Sequence, residues 1–397
     1  MDALNTSVVP VGDEAIAEAA RLIRSGQPVA VPTETVYGLA ADATSAEAVA
    51  RIYAAKGRPS FNPLIVHIAS LEQAGLYGLF GERARALAGA FWPGALTLVV
   101  PAREEGGLAA AVTAGLGTVA LRCPAHPAMQ ALLAAANRPL AAPSANASGS
   151  LSPTRAEHVL ASLGGRIPLI LDGGPTERGL ESTIVAVEEG GVRLLRPGPI
   201  GPWAILAVAP AVGPPAEPQT GRGIEAPGQL RSHYAPGKPL RLNAAAADAD
   251  EWLIGFGPVA GDDNLSPSGD LDEAAARLFD ALHRADRQDL PRIAVAPIPE
   301  DGLGLAINDR LRRAAEPRSL KRGGRSRPFP AEETELPRFT AASGLRSRPQ
   351  PWPARAPQAP ASRLRRRAVR QPREQPRPGA GEPFLPWRAA RPRRRRP

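Results

Sequence analysis

The sequence lacks the residues that would build a disulfide framework, a cysteine-based metal site or a membrane span. Its 397 residues include one cysteine, Cys123, and five histidines with no His-x-x-x-His pair. No metal ligands are therefore expected from protein side chains, and any metal ion should arrive with a substrate. No apolar run approaches the ~20 residues that span a bilayer, and the N-terminus lacks a basic start followed by an apolar stretch. We expect a soluble cytoplasmic protein without membrane contact.

Basic charge is also scarce over most of the chain, although the net charge is +9. Residues 318–397 hold 21 Arg and one Lys against five Glu, or +17, which leaves 26 basic and 34 acidic residues, or −8, for residues 1–317. Residues 318–397 also include 15 Pro and show no apolar periodicity, so burial of apolar surface would not offset the entropy lost on ordering them. We expect a disordered basic tail, either a nucleic-acid-binding arm or a frameshift or readthrough artefact; the abrupt change favours the artefact.

Apolar periodicity divides the remaining chain into two α/β domains. Residues 10–208 combine helical stretches with short apolar runs that read as strands, mixed rather than strictly alternating with helices. Thr154 and Glu157 form a capping-box pattern, and residues 188–191 have the composition of a hairpin turn. The Pro/Gly-rich residues 209–241 read as a linker, and residues 242–317 as a small βαβα unit with a parallel sheet.

Common nucleotide and hydrolase signatures are missing, since neither a Walker A motif nor Gly-x-Ser-x-Gly occurs. Polar residues instead follow apolar strands, where ligand sites of α/β sheets form. Lys56, Arg58 and Asn62 lie in a Gly/Pro-rich loop that could grip phosphates, although a solvated basic loop would look the same. His67 lies in an apolar strand, where a core histidine is the commoner case. Arg122 ends a buried strand and needs an anionic partner.

The ordered set of these motifs resembles one known family. The motifs are Pro32-Thr-Glu-Thr-Val-Tyr-Gly-Leu, Lys56-Gly-Arg-Pro-Ser-Phe-Asn-Pro-Leu-Ile-Val-His, Phe91-Trp-Pro-Gly-Ala-Leu-Thr, Val119-Ala-Leu-Arg, Pro143-Ser-Ala-Asn-Ala-Ser-Gly, Glu181-Ser-Thr-Ile and Leu195-Arg-Pro-Gly. They resemble the YrdC-type threonylcarbamoyl-AMP synthases. The segment that starts at Ala226 resembles the connection to a small Rossmann-like domain in two-domain members. The resemblance implies a YrdC-like mixed twisted sheet with helices plus that small domain, and it does not extend to residues 318–397.

The resemblance also implies a reaction. L-threonine, bicarbonate and ATP would give threonylcarbamoyl-AMP and pyrophosphate, and a downstream tRNA threonylcarbamoyl-transferase complex would pass the group to adenosine 37 of tRNA. A threonine carbamate attacks the α-phosphorus of ATP in this reaction, so positioning and charge neutralisation suffice and no enzyme nucleophile is needed.

Site residues follow from the resemblance position by position. The expected threonine site is formed by Thr35, His67, Arg122, Ala142 and Ser182, with Arg122 taking the carboxylate. The expected ATP site is formed by Arg58, Asn62, Thr118, Ser144, Ser152, Arg196 and Tyr234. Lys56 and Arg58 are the expected catalytic residues. Mg²⁺ would arrive on the ATP phosphates, and residues 209–241 would act as an active-site lid, with Tyr234 folding over the nucleotide.

Two alternatives stay open at this point. One is a double-stranded RNA-binding module without adenylating activity, with possible direct contact to tRNA. The acidic balance of residues 1–317 weakens it, and a steep salt dependence of RNA binding would support it. The other is a carbamoyl-adenylate domain like that of hydrogenase maturation proteins, whose acylphosphatase and zinc-finger parts are missing here.

Overall fold

The computed structural model describes residues 4–209, 212–213 and 224–316. The predicted tail at residues 318–397 and part of the predicted linker therefore lie outside the described residues. Within the described ranges, no helix is both long and apolar enough to cross a membrane.

Residues 4–209 and 212–213 build one large mixed sheet with helices. Strands β1 to β11 are Ser7–Pro10, Val29–Val31, Gly38–Asp42, Ile65–His67, Leu96–Pro101, Thr118–Arg122, Leu140–Ala141, Leu169–Asp172, Thr183–Glu188, Gly191–Arg196 and Val212–Gly213. Helices α1 to α8 are Asp13–Arg24, Ala46–Lys56, Leu71–Ala74, Glu82–Phe91, Ala110–Thr113, Pro127–Ala136, Ala156–Leu163 and Pro202–Val208. The strand order is β1-β8-β2-β3-β7-β4-β6-β5-β9-β10-β11, with parallel and antiparallel neighbours. The predicted mixed sheet is thereby confirmed.

Strand register brings polar strand ends together. Strands β4 and β6 are parallel, and their register places His67 beside Arg122. Strand β7 runs antiparallel to β4, with Leu140 opposite His67, so the residues that follow β7 leave the sheet at the other end of β4, beside Ile65. Strand β9 is parallel to β5, which sets Ser182, just before β9, near the start of β5. The pairing order thus assembles side chains that are far apart in sequence.

Helix α2 delivers the Gly/Pro-rich loop to this region. Ser45 caps its start by accepting a hydrogen bond from the backbone N of Ala48 at 3.1 Å. The helix ends at Gly57, whose φ of 60° lies in the left-handed region that glycine adopts without strain. The turn at Gly57 directs Arg58 away from the helix axis.

Two local predictions have opposite outcomes. The hairpin is confirmed, because β9 and β10 are antiparallel and Gly191 pairs with Glu188. The capping box is wrong, because α7 has Arg155 at its N-cap with no side-chain hydrogen bond. The backbone N of Thr154 instead donates to Nδ1 of His158 at 3.3 Å, so a buried imidazole replaces the expected carboxylate cap.

The C-terminal part forms a second, parallel sheet, as predicted. Strands β12 to β15 are Leu240–Arg241, Glu251–Gly255, Asp263–Asn264 and Arg292–Val295, and helices α9 and α10 are Leu271–Asp286 and Gly304–Ala315. The order is β12-β15-β13-β14. Strands β11 and β12 both fall inside residues 209–241, so the two sheets extend into the predicted linker. Phe279 and Ile307 share an apolar cluster with Leu151, Leu180 and Tyr234, which joins this part to the first.

Candidate active site

A small cavity of about 40 Å³ lies where these strand ends meet. Nine of the thirteen residues predicted for the site line it: Thr35, Arg58, His67, Arg122, Ala142, Ser144, Ser182, Arg196 and Tyr234. The lining also includes residues that the sequence prediction did not assign, namely Thr33, Val36, Gly38, Ile65, Pro143, Glu181, Pro227, Gly228 and His233. The threonine and ATP groups predicted separately therefore share one cavity.

Three hydrogen bonds hold the Arg122 side chain at the cavity. It is 4% exposed, and its Nε donates to the carbonyl oxygen of Gly94 at 3.1 Å. Its Nη1 donates to Oγ1 of Thr35 at 2.9 Å, and its Nη2 to Oε1 of Glu34 at 2.6 Å. A guanidinium has five N–H donors, so one on Nη1 and one on Nη2 remain for a ligand carboxylate.

Glu34 is the buried counter-charge of Arg122. Burial would raise the pKa of this carboxyl, but the Arg122 guanidinium holds it below its ordinary value. Glu34 lines a neighbouring cleft with Gly94 and Ala125 and does not line the cavity itself. Its carboxylate therefore orients Arg122 from behind. The sequence prediction did not assign Glu34, although its position between Thr33 and Thr35 in the quoted motif was a usable signal.

His67 presents an unpartnered nitrogen. Its side chain is buried, and Nδ1 has no hydrogen-bond partner in the structure. Burial, with the nearby Arg122 charge, lowers the pKa of His67 to about 3, so the imidazole is neutral at neutral pH. A buried polar atom without a partner beside a cavity is suited to a ligand hydroxyl or amine. This favours the ligand interpretation of His67 over that of a core histidine.

The free energy of unfolding should fall on acidification because of His67. Between the folded pKa of about 3 and the ordinary 6.5, the unfolded chain binds a proton that the folded chain cannot. This stabilisation is fully present above pH 6.5 and is lost as the pH falls towards 3, which amounts to about 2 kcal/mol at pH 5. Denaturant unfolding at pH 7 and pH 5 measures it: His67→Gln should lose about 2 kcal/mol less than the unsubstituted chain. Equal losses in both proteins would contradict this assignment.

Ser182 and Arg196 form the opposite wall. The Nε of Arg196 donates to the backbone carbonyl of Ser182 at 3.0 Å, and its Nη2 to Oγ of Ser182 at 3.1 Å. The Ser182 hydroxyl also shares a hydrogen bond of 2.7 Å with the hydroxyl of Thr97. Arg196 is buried, which lowers its pKa below the ordinary value. Ala142 contributes backbone, its N donating to the carbonyl of Ile65 at 3.0 Å.

Arg58 and Asn62 lie in the loop that the sequence predicts to bind phosphates. The Nε of Arg58 donates to the carbonyl of Asn62 at 3.2 Å, and Nη2 to that of Pro63 at 2.8 Å, so backbone oxygens hold the guanidinium. Burial lowers the pKa of Arg58 to about 10, which leaves it cationic at neutral pH. Both amide atoms of Asn62 are buried without a partner. An orphaned amide beside a fixed cation is typical of a ligand site.

Three predicted residues do not line the cavity but support it. The Nζ of Lys56 donates to the carbonyls of Ser144 and Asn146, each at 2.5 Å, and its full burial lowers its pKa well below 10.5. Lys56 thus braces the turn that presents Ser144. Ser152 donates to Oε1 of Glu181 behind the wall. Asn62 lies beside Arg58 in the same loop. The catalytic role of Lys56 and the ATP roles of Asn62 and Ser152 stay predictions.

Thr118 lies at the other end of β6 from Arg122, about 13 Å away along the strand. It lines a separate cleft with Val99 and Ala186. Alternation puts Thr118, Ala120 and Arg122 on one face of β6, and Ala120 shares an apolar cluster with Ala226 of the connecting segment. A ligand running along this face from Arg122 to Thr118 would pass beneath that segment. The ATP role of Thr118 stays a prediction.

Residues 227–234 roof the cavity. Pro227, Gly228, His233 and Tyr234 all line it. Tyr234 is 1% exposed with φ at 60°, and its ring lies 4.1 Å from that of His233 and 5.8 Å from that of Phe279 in α9. Ligand pockets usually measure roughly 300–1,000 Å³, far more than this cavity. A cavity of about 40 Å³ is too small to hold a nucleotide.

The described residues also contain one cluster with metal-ligand side chains, Glu157, His158 and Asp280. Nε of Arg155 lies 3.2 Å from Oδ1 of Asp280, and Arg284 pairs with its other oxygen. The hydrogen bond from Thr154 N to Nδ1 of His158 puts the imidazole hydrogen on Nε2, which faces Oδ1 of Asp280 at 3.4 Å. The carboxylate of Asp280 is therefore already paired with two arginines, and the cluster is a packing contact between α9 and the start of α7.

Comparisons with known proteins cover most of the chain. Residues 21–198 match the Sua5_yciO_yrdC family model, described as "Telomere recombination", and residues 204–316 match a model described as "Threonylcarbamoyl-AMP synthase, C-terminal domain". A threonylcarbamoyl-AMP synthase of Bacillus subtilis is 42% identical over 80% of this chain and 97% of the relative. One of Pyrococcus abyssi is 41% identical over 76% and 94%. The crystal structure of P. abyssi Sua5 complexed with L-threonine superposes with a TM-score of 0.71 at 39% identity, over 79% of this chain and 97% of that one.

Proposed function

Since this chain belongs to the Sua5/YciO/YrdC family in its two-domain form, we propose that it makes threonylcarbamoyl-AMP and pyrophosphate from L-threonine, bicarbonate and ATP. It is a nucleotidyltransferase-type enzyme, as its curated relatives are synthases of this product. The shared cavity carries the proposal, because it brings Arg122 and His67 next to Arg58 and Arg196. An amino acid and a nucleotide phosphate can therefore lie side by side.

Threonine binds on the Arg122 side. Its carboxylate takes the two remaining N–H groups of Arg122, and its hydroxyl lies within reach of the unpartnered Nδ1 of His67. Thr35, Ser182 and the backbone at Ala142 complete this half of the cavity. The substrate amine, once neutral, attacks the carbon of bicarbonate or of the CO₂ derived from it. The amine loses a proton, a water molecule leaves, and a carbamate forms.

The carbamate then reacts with ATP on the Arg58 side. One carbamate oxygen attacks the α-phosphorus, the bond from that phosphorus to the bridging oxygen breaks, and pyrophosphate leaves with the electron pair. Arg58 and Arg196 neutralise the charge that develops on the phosphate oxygens, and Asn62 and Ser144 supply hydrogen bonds. Lys56 contributes by fixing the turn at Ser144.

Mg²⁺ enters as a part of the ATP substrate. In the described part of the chain, Glu181, which lines the cavity, and Glu34, which lies behind Arg122, are buried carboxylates that are each paired with an arginine. Neither is available as a ligand for a resident ion without breaking a buried pair. The ion therefore binds to the ATP phosphates and partly screens their charge.

The roof segment acts as a lid within residues 209–241. It opens to admit ATP, because the cavity of about 40 Å³ is too small for a nucleotide. When it closes, Tyr234 and His233 exclude water from a carbamate and an adenylate that both hydrolyse readily. The lid thus protects both intermediates.

The product serves tRNA modification in the cytoplasm. A tRNA threonylcarbamoyl-transferase complex is the partner that consumes it, transferring the group to adenosine 37. The net charge of −8 over residues 1–317 gives this part no basic excess for RNA, which disfavours the double-stranded RNA-binding alternative.

Pyrophosphate release tests the function. The full chain with ATP, Mg²⁺, L-threonine and bicarbonate should release pyrophosphate at a rate at least about tenfold above that of any mixture lacking threonine or bicarbonate. Mass spectrometry should identify threonylcarbamoyl-AMP in the complete mixture only. Arg122→Ala serves as the control for contaminating ATPases. Release that does not depend on threonine would contradict the proposal.

A further inference from the structure

Arg310, in the middle of α10, is a fully buried arginine from the C-terminal part of the fold. Its side chain is 0% exposed, its Nε donates to Oε2 of Glu181 at 2.7 Å, and its Nη1 pairs with Oδ2 of Asp309 at 2.7 Å. Arginine is almost never fully buried unless it is paired. The pair joins residues that are 129 positions apart, and one of them lines the cavity.

Arg310 donates hydrogen bonds to both the side-chain carboxylate and the backbone carbonyl of Glu181. Besides the carboxylate contact, its Nη2 donates to the backbone carbonyl of Glu181 at 3.5 Å. The other carboxylate oxygen of Glu181 accepts the hydroxyl of Ser152. Glu181 directly precedes Ser182, whose carbonyl and hydroxyl anchor Arg196. A shift of Glu181 would therefore displace a threonine-site residue and an ATP-site residue together.

The same guanidinium also contacts the roof. Its Cζ lies 5.2 Å from the ring centroid of Tyr234, which is the range of a cation–π contact. The next turn of α10 adds a backbone contact, because the N of His233 donates to the carbonyl of Arg313 at 3.2 Å. Helix α10 thus touches one wall of the cavity and its roof at once.

We propose that Arg310 is a positioning residue that fixes the Glu181–Ser182 wall and the Tyr234 ring in their threonine-binding arrangement. The inference rests on the function proposed above. A planar guanidinium suits this task, since its edge pairs with the Glu181 carboxylate while its face stacks on the Tyr234 ring. The ammonium group of a lysine offers neither geometry. The C-terminal part of the fold then shapes the site without touching the reacting atoms.

Kinetics and binding of full-length variants test this role. Arg310→Gln removes the charge, and Arg312→Gln is the matched control, because Arg312 lies on the same helix, is 57% exposed and pairs only with the exposed Glu300 in the described contacts. We expect Arg310→Gln to raise the KM and Kd for L-threonine about tenfold or more, whereas Arg312→Gln leaves both within about twofold. Threonine Kd comes from calorimetry without ATP.

Arg310→Lys covers the case in which Arg310→Gln does not fold. It keeps the charge, so its melting temperature should stay close to that of the unsubstituted chain, but it loses the fork and the flat face. The positioning role predicts a raised threonine KM in this folded variant. An unchanged threonine KM in folded Arg310→Lys or Arg310→Gln, or an equal rise in Arg312→Gln, would overturn the inference.

The two proposals fail in different ways. If the unsubstituted chain binds threonine but releases no threonine-dependent pyrophosphate, the proposed function fails, and the inference is judged on the threonine Kd of the variants. If the unsubstituted chain is active and Arg310→Lys has its kinetics, only the inference fails. If the unsubstituted chain binds no threonine, both are wrong.

Discussion

Arg122→Ala is expected to lower kcat/KM for L-threonine about a thousand-fold, or ~4 kcal/mol, in the pyrophosphate-release assay. The substitution removes the donors that we assign to the substrate carboxylate, and it leaves Glu34 as a buried carboxylate without its cation. The KM for ATP should change much less, because Arg58 and Arg196 stay in place. A variant that keeps the kcat/KM of the unsubstituted chain would refute the role of Arg122.

Lost activity alone could reflect lost folding, so Arg122→Ala needs a partner variant. Breaking a buried ion pair on one side costs about 3–5 kcal/mol of stability, because the remaining charge is uncompensated. The double variant Arg122→Ala/Glu34→Gln removes both charges and should recover most of the free energy of unfolding measured with denaturant. It should not recover threonine-dependent turnover. Recovery of turnover in the double variant would mean that Arg122 matters for folding only.

The sequence predicts the site well where polar residues lie at the edges of apolar runs that are recognisable as strands. His67 and Arg122 end apolar runs that the structure confirms as β4 and β6, and Ser182 directly precedes the run that it confirms as β9. Parallel pairing then aligns His67 with Arg122, which is what ligand sites at strand ends require. Nine of the residues that the sequence predicts for the site line one cavity for this reason.

The sequence could not predict contacts that depend on distant pairing. Arg122 and Glu34 are 88 positions apart, and periodicity carries no information on which buried charges meet. Strand β3, Gly38–Asp42, escaped prediction because Gly, Ala and Asp are depleted in strands; its pairing with β2 and β7 is what orders it as a strand. Arg310 lies in a helix whose pattern shows only that it is amphipathic, so its link to Glu181 appears only in the fold.

The division of labour between the two parts of the fold follows from these contacts. The large sheet supplies the side chains that face the cavity, whereas α9 and α10 supply Phe279 and Arg310, which contact Tyr234 from the other side. Tyr234 adopts a left-handed φ, which costs a non-glycine residue roughly 1–3 kcal/mol, so surrounding contacts must hold it there. Contacts from the C-terminal part therefore hold Tyr234 in its position at the cavity.

Arg58→Gln should lower kcat about 100- to 1,000-fold, because it removes a fixed cation beside the phosphate that is attacked. The guanidinium is held by the carbonyls of Asn62 and Pro63 and stays charged at neutral pH, so it needs no rearrangement as charge develops. Glutamine keeps hydrogen-bonding groups but not the charge. Threonine Kd, measured by calorimetry, should stay within about threefold, since Arg122 and His67 are untouched.

Arg58→Lys and Arg103→Gln show whether kcat depends on a cation at the cavity or on the net charge of the protein. Arg58→Lys keeps a cation but loses the fork that two carbonyls orient, so we expect an intermediate kcat. Arg103 is exposed between β5 and β6, and Arg103→Gln should match the unsubstituted chain. If Arg103→Gln lowers kcat as much as Arg58→Gln does, both losses come from weaker attraction of ATP by the net charge of the protein. Raising the salt concentration would then reduce the difference in kcat between each variant and the unsubstituted chain. A kcat loss confined to position 58 and insensitive to salt assigns the charge to the reacting phosphate, because a buried cation is screened far less than an exposed one.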